Sequence, residues 1–236
     1  MTTKAIARLI GATWLLGFVT YIVGNVLATS VLSAPDSLST IFAHQTALAL
    51  GGLLLLLTCV LELGKAVLFF PILEPHGKRT AVTYLSALIV EVVLVAVGAL
   101  GVLMVIPLAQ QGIVAGPASV IGAKALGSIA IQWNTMAYQI GEMSLCFGGV
   151  FLCLLLFRTR LIPRFLSVWG VIGYAIFLAG LIAEISGIHI VAMLEIPGGL
   201  FEVGLAIWLL IKGFQPETTI RTRDAPVALM GTASAH

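Results

Sequence analysis

The sequence predicts an all-α fold: a six-helix transmembrane bundle with both termini on the cytoplasmic side. Three observations predict it. Of the 236 residues, 60% are hydrophobic and 9% charged, with a mean hydropathy of +1.13, whereas soluble domains run nearer half apolar and a quarter charged. Six apolar runs, roughly 8–30, 46–72, 81–107, 136–157, 165–186 and 190–211, reach the length of about 20 residues that a helix needs to cross the hydrocarbon core. Lysines and arginines then fall almost entirely on one side of those runs, the side that stays in the cytoplasm.

The first run carries Thr13, Gly17, Tyr21, Gly24 and Asn25 at helical spacing, a seam of small and polar groups of the kind that packs helices in lipid. A signal peptide with Lys4 and Arg8 as its basic start is the alternative. The run is longer than a usual signal core and no clean small-x-small cleavage site follows, which favours a retained helix. In the second run Glu62 and Lys65 stand one turn apart, close enough to neutralise each other and so lower the cost of insertion. The third run repeats Tyr84, Glu91 and Gly98 every seven residues. Between it and the fourth run, residues 108–134 are rich in Gly, Ala and Ser and read as a connection holding at most an interfacial helix.

The fourth run places Tyr138, Glu142, Cys146, Gly149 and Cys153 on one face, and the fifth ends near Glu184. The sixth is interrupted by Glu195-Ile-Pro-Gly-Gly. Pro197 lacks an amide hydrogen and clashes with the carbonyl of Met193, so a kink is expected there, with Glu195 and Glu202 flanking it on one face. Broken helices bearing carboxylates recur at transporter binding sites; proline kinks also occur in inert spans. Lys4 and Arg8, Lys78 and Arg79, Arg158, Arg160 and Arg164, and Lys212, Arg221 and Arg223 all fall on one side, against Lys124 on the other. Residues 1–214 therefore form a single domain, and 215–236 read as a polar, disordered cytoplasmic tail.

Ionisable groups inside spans are expensive and usually face the bundle interior or a wet cavity. Glu62, Lys65, Glu91, Glu142, Glu184, Glu195 and Glu202 are therefore the candidate cavity or proton-binding residues. Counting along each span puts Glu62, Glu91 and Glu202 near mid-membrane. Glu142, Glu184 and Glu195 fall toward the outer face, as do His44 and His189. Zinc usually takes three or four ligands, so these two histidines without close-spaced companions read as interfacial, although a set with Glu184 and Glu195 is conceivable. Cys59, Cys146 and Cys153 lie within apolar runs and act as small packing residues. No nucleophile elbow, phosphate loop or His-Glu-x-x-His occurs, so no catalytic residue, cofactor or metal is expected. The net charge of +2, spread over short clusters, gives no reason to expect nucleic acid.

The stretches AYQIGEM at 137–143, FRTRLIPRFLSVWGVIGYAIFLAG at 157–180 and IPGGLFEVGLAIWLLIKGF at 196–214 resemble the bacterial membrane family of domain of unknown function 4386. The basic loop from Arg158 to Arg164 running into Trp169-Gly170, and Pro197, Glu202, Trp208 and Lys212-Gly213-Phe214, carry the resemblance. It implies the six-helix fold and the bacterial inner membrane but no activity. Relatives often have an arginine three residues before the glutamate of the third span, where this chain has Leu88. The expectation is that Lys65 supplies the missing charge by reaching Glu91 while still neighbouring Glu62.

Two functions fit. One is a carrier of a small solute or protons, in which a carboxyl drawn out of water can bind and release a proton near neutrality, as coupling requires. The other is a structural or regulatory membrane protein, a partner subunit or lipid-binding bundle, whose acids only lock helices together; an intramembrane enzyme comes third. They differ in whether the glutamates converge on one cavity or point at separate helix contacts.

Overall fold

In a computed structural model, residues 2–33, 41–114 and 119–215 are described, and all the main elements among them are helices. The tail beyond Gln215 lies outside the described residues. Helix α1 (Thr3–Leu32) starts at Thr2, whose hydroxyl accepts from the amide of Ala5 at 3.3 Å, satisfying one of the four free donors at a helix start. Helix α2 (Gln45–Val114) is followed by α3 (Ser119–Thr159), α4 (Arg164–Ile185), the single-turn α5 (Val191–Leu194) and α6 (Ile196–Ile211). Five stretches are long and apolar enough to cross a membrane, the fifth running through α5 and α6 together.

Helix α2 has 70 residues, which at about 1.5 Å per residue would be roughly three times the hydrocarbon thickness. It does not run straight. Gly77 is non-helical, with φ 176° and ψ 84°, two residues after Pro75, and the chain folds back at that point. Contacts between the two limbs prove the reversal. The Cys59 thiol meets the carbonyl of Val92 at 3.5 Å, Gln110 Nε2 donates to Gln45 Oε1 at 3.2 Å, and Gly52 lies against Leu103. In each case one partner's distance before Gly77 nearly matches the other's after it. The second and third expected spans are thus the limbs of one antiparallel hairpin with a one-residue corner.

Helices α2 and α3 are longer than expected. Residues 108–114 continue α2, and 119–135 belong to α3, so the segment read as a connection is mostly helix. Alanine, leucine, isoleucine and glutamine in it are sound helix formers. The strongest breaker is Gly116-Pro117, and the helices run almost up to it. The sixth span also differs from expectation. Pro197 is not a kink in a continuous helix; it stands in the first turn of α6, after a break at Glu195 that separates α5. Proline is readily accommodated at a helix start, where its missing amide has no partner to lose.

Helix neighbours form a closed ring: α1 packs on α2, α2 on α3, α3 on α4, α4 on α6, and α6 on α1. Among the described residues, α2 packs against neither α4 nor α6, and α3 does not pack against α6. The ring therefore has a middle. Its walls close through small residues. A Cβ at Gly24 of α1 would stand 2.9 Å from the carbonyl of Gly51 in α2, and a Cβ at Gly173 of α4 would stand 3.0 Å from Cα of Gly198 in α6. In lipid, where apolar burial between helices gains little, this backbone proximity and the polar contacts it permits supply the adhesion.

One end of the ring carries the basic residues. Gly213 lies against Lys4 and Ala7, and the amide of Gln215 donates to the carbonyl of Leu161 at 2.8 Å. Near this end Phe69 makes edge-to-face contacts with Trp14, Tyr84 and Phe214 at centroid distances of 6.0, 5.8 and 6.0 Å. These rings fill the middle of the ring on the basic side. The opposite half is not filled.

Candidate functional site

Above the aromatic plug lies a buried chamber of about 60 Å³, room for a few water molecules. Glu62 and Lys65 reach it from the first limb of α2, Glu91 from the second limb, Glu142 from α3 and Glu202 from α6. All five are buried. The chamber adjoins a vestibule of about 590 Å³ toward the end opposite the basic residues, lined among others by Asn25, Asn134, Gln139, Glu195 and Gly198. Phe18, Tyr21, Tyr138, Glu142 and Glu202 line both spaces. Tyr21 and Tyr138 stack with centroids 4.8 Å apart and planes at 22°, so a pair of parallel rings stands where the two meet.

Each carboxyl has its own surroundings. Glu62 forms an ion pair with Lys65 three residues on, and the ammonium also lies 4.2 Å from the centre of the Trp14 ring, a cation–π contact strengthened by the dry site. Gly17 makes this possible, since a Cβ there would stand 2.8 Å from Glu62 Oε1. Glu202 accepts from Tyr174 Oη at 2.7 Å and from Trp14 Nε1 at 3.3 Å. Trp14 therefore touches both polar groups and ties α1 to α6. Glu91 Oε2 is buried without a hydrogen-bond partner, and Glu142, only 7% exposed, makes no side-chain hydrogen bond among the described residues. The acids thus divide into two that are bonded and two that are not.

The expected reach of Lys65 to Glu91 is not found: no ion pair joins them among the described residues, and the ammonium pairs with Glu62 on its own limb. An i,i+3 partner is held close by the backbone itself, whereas Glu91 lies on the other limb. Glu195 is half-buried at the vestibule wall. Glu184 is outside both spaces and meets His189 Nδ1 at 2.7 Å. His44 is exposed, and no group of three His, Cys, Asp or Glu among the described residues is arranged to hold a metal ion.

Six of the seven sequence candidates therefore gather around the chamber and vestibule, and Glu184 does not. Glu142, counted toward the outer face, reaches the chamber because α3 presents it inward between Tyr138 and Cys146. Trp14 and Tyr174 escaped the sequence reading. Their signal was available: an indole N–H or a phenol O–H inside an apolar span needs an acceptor. The fourth-run seam serves two purposes. Tyr138 and Glu142 face the cavities, whereas a Cβ at Gly149 would stand 2.6 Å from Tyr174 Cζ, and one at Gly170 of α4 would stand 2.5 Å from Cys153 Sγ.

Chemically, four carboxyl groups face one ammonium inside the chamber. If all were ionised, three uncompensated negative charges would sit in a region withdrawn from water, at a cost of several kcal/mol for each. Neutrality would require protons, or a bound cation, at the groups that lack an internal partner.

Comparison with curated proteins and with solved structures returns no match. Residues 9–213, nearly the whole described bundle, match the family described as Domain of unknown function (DUF4386). From α1 to the glycine that closes α6, this chain belongs to that family.

Proposed function

We propose that this membrane protein carries a small solute or protons across the bilayer, using intramembrane glutamates as the groups that take up and release charge. The observation that carries the reading is convergence: acids from three different helices meet in one chamber, in excess over the single lysine, and the chamber communicates with a larger vestibule. Glu91 and Glu142 are the working pair in this reading, because among the described residues neither is committed to a side-chain hydrogen bond or ion pair. Both termini face the cytoplasm of a bacterial cell, so the vestibule opens outward.

The rival reading, a structural or regulatory bundle, has support from the other acids. Lys65, paired with Glu62 on its own limb, reaches Trp14 of α1, and Glu202 holds Trp14 and Tyr174, so these groups act as fasteners between helices. A bundle built only on fasteners has no use for two further buried carboxyls without partners. Purified protein in liposomes containing a pH-sensitive dye, with and without an imposed pH gradient, tests the point. Flux driven by the gradient and lost in Glu91→Gln and Glu142→Gln is expected. Absence of flux, or flux indifferent to both variants, would remove the transport reading.

A further inference from the structure

We infer that the vestibule is a binding site for an organic cation, an amine or quaternary ammonium with an apolar body. This rests on the cavity reading above and names the class of solute that enters it. Glu142, Glu195 and Glu202 line the vestibule, and among the described residues no lysine, arginine or histidine does. An anion would therefore meet only like charge there. Glu202 is already engaged by Tyr174 and Trp14. Glu142 is not, and with 7% exposure it points into both spaces. A buried carboxylate without a donor is an acceptor waiting for one.

The rest of the lining says what kind of cation. At about 590 Å³ the space lies within the range of small-molecule sites, far larger than a bare metal ion needs. A hard inorganic cation would also want several oxygen ligands closing around it. Here Tyr21 and Tyr138, stacked on each other, line the space together with Glu142, and Phe18 and Phe177 extend the aromatic wall. Ring faces attract a diffuse positive charge, most strongly when water is excluded. Glu195, half-buried on the vestibule wall, adds a second negative group on the way in.

Benzyltrimethylammonium is a suitable probe, because its charge is permanent and its size suits the space. Calorimetry on the purified detergent-solubilised protein is expected to give saturable binding of this cation, with benzenesulfonate and benzyl alcohol inert. Glu142→Gln should weaken it by at least about tenfold, as expected for loss of one partner of a desolvated charge pair. Tyr21→Phe, which keeps the ring, should bind as the unaltered protein does; Tyr21→Leu should bind several-fold more weakly. The ligand-free melting temperature reports whether each variant folds, and should Glu142→Gln fail to fold, Glu195→Gln and the two Tyr21 variants carry the test. Equal binding of the neutral or anionic probe, no binding of the cation, or identical affinity in Tyr21→Phe and Tyr21→Leu would overturn the inference. Binding without flux in liposomes would leave it standing and remove transport alone; proton flux without binding would do the reverse.

Discussion

The buried lysine illustrates how one side chain can be both necessary and replaceable. Lys65 is 1% exposed, its ammonium held between the Glu62 carboxylate and the face of Trp14. Removing the ammonium strands the carboxylate, which in proteins generally costs about 3–5 kcal/mol, whereas removing both charges together is often close to neutral. Lys65→Met should therefore lower the melting temperature in detergent sharply, and Lys65→Met with Glu62→Gln should recover most of the loss. Glu91→Gln in place of Glu62→Gln should recover less; equal recovery would mean that Glu91 shares the ammonium after all. On a smaller scale, Tyr174→Phe removes the 2.7 Å bond to Glu202 and should cost roughly 1–3 kcal/mol, because the acceptor stays buried.

Helix by helix, the decisive contacts are backbone to backbone. Gly51→Val would push a side chain against the Gly24 carbonyl, 2.9 Å from where its Cβ must go, and overpacking of this kind typically costs about 1–3 kcal/mol. Gly64 lies on the same limb of α2 with nothing within 4 Å of its Cβ position, so Gly64→Ala should cost nothing and may be used as the matched control. A thermal series in which both substitutions are equally harmful would show that α1 and α2 do not pack as described. Much of this level was legible beforehand. Hydropathy located the spans because lipid demands long apolar runs, and spacing found the seams because a helix puts every third and fourth residue on one face. What remained hidden depended on other helices. The spacing of Glu62 and Lys65 allowed their pairing, but the distance from Lys65 to Glu91 depends on how the two limbs fold back, and a Gly/Ala/Ser-rich composition at 108–134 does not distinguish a loop from helix ends.

For the molecule as a whole, the basic end of the ring is expected to face the cytoplasm. A thiol introduced at Ser186, in the exposed turn after α4, should react with an impermeant maleimide in intact cells, and one at Thr159, beside the basic loop, only after the inner face is opened. The opposite pattern would invert the topology and turn the vestibule inward. Convergence of the glutamates was not legible at this scale. Periodicity assigns a face to each acid but not a direction relative to the other helices, and it is the closing of the ring, with α6 packed between α4 and α1, that turns those faces toward a common middle.

The fold-back at Gly77 makes the two limbs of α2 behave as a stiff plate. With one residue at the corner and contacts along their length as far as Gln45 and Gln110, neither limb has slack to slide past the other. Opposite the plate, α6 bears Glu202 and does not itself pack on α2; it is seated on α4 through Gly173 and Gly198 and on α1 through Gly11 and Ala206. Spin labels on the two limbs should keep one distance when benzyltrimethylammonium is added, while labels on α2 and α6 should change theirs; a change confined to the limbs would contradict this. Preserved distances within α2 and altered ones between α2 and α6 would make α2 the fixed wall of the chamber and α6 the wall that yields.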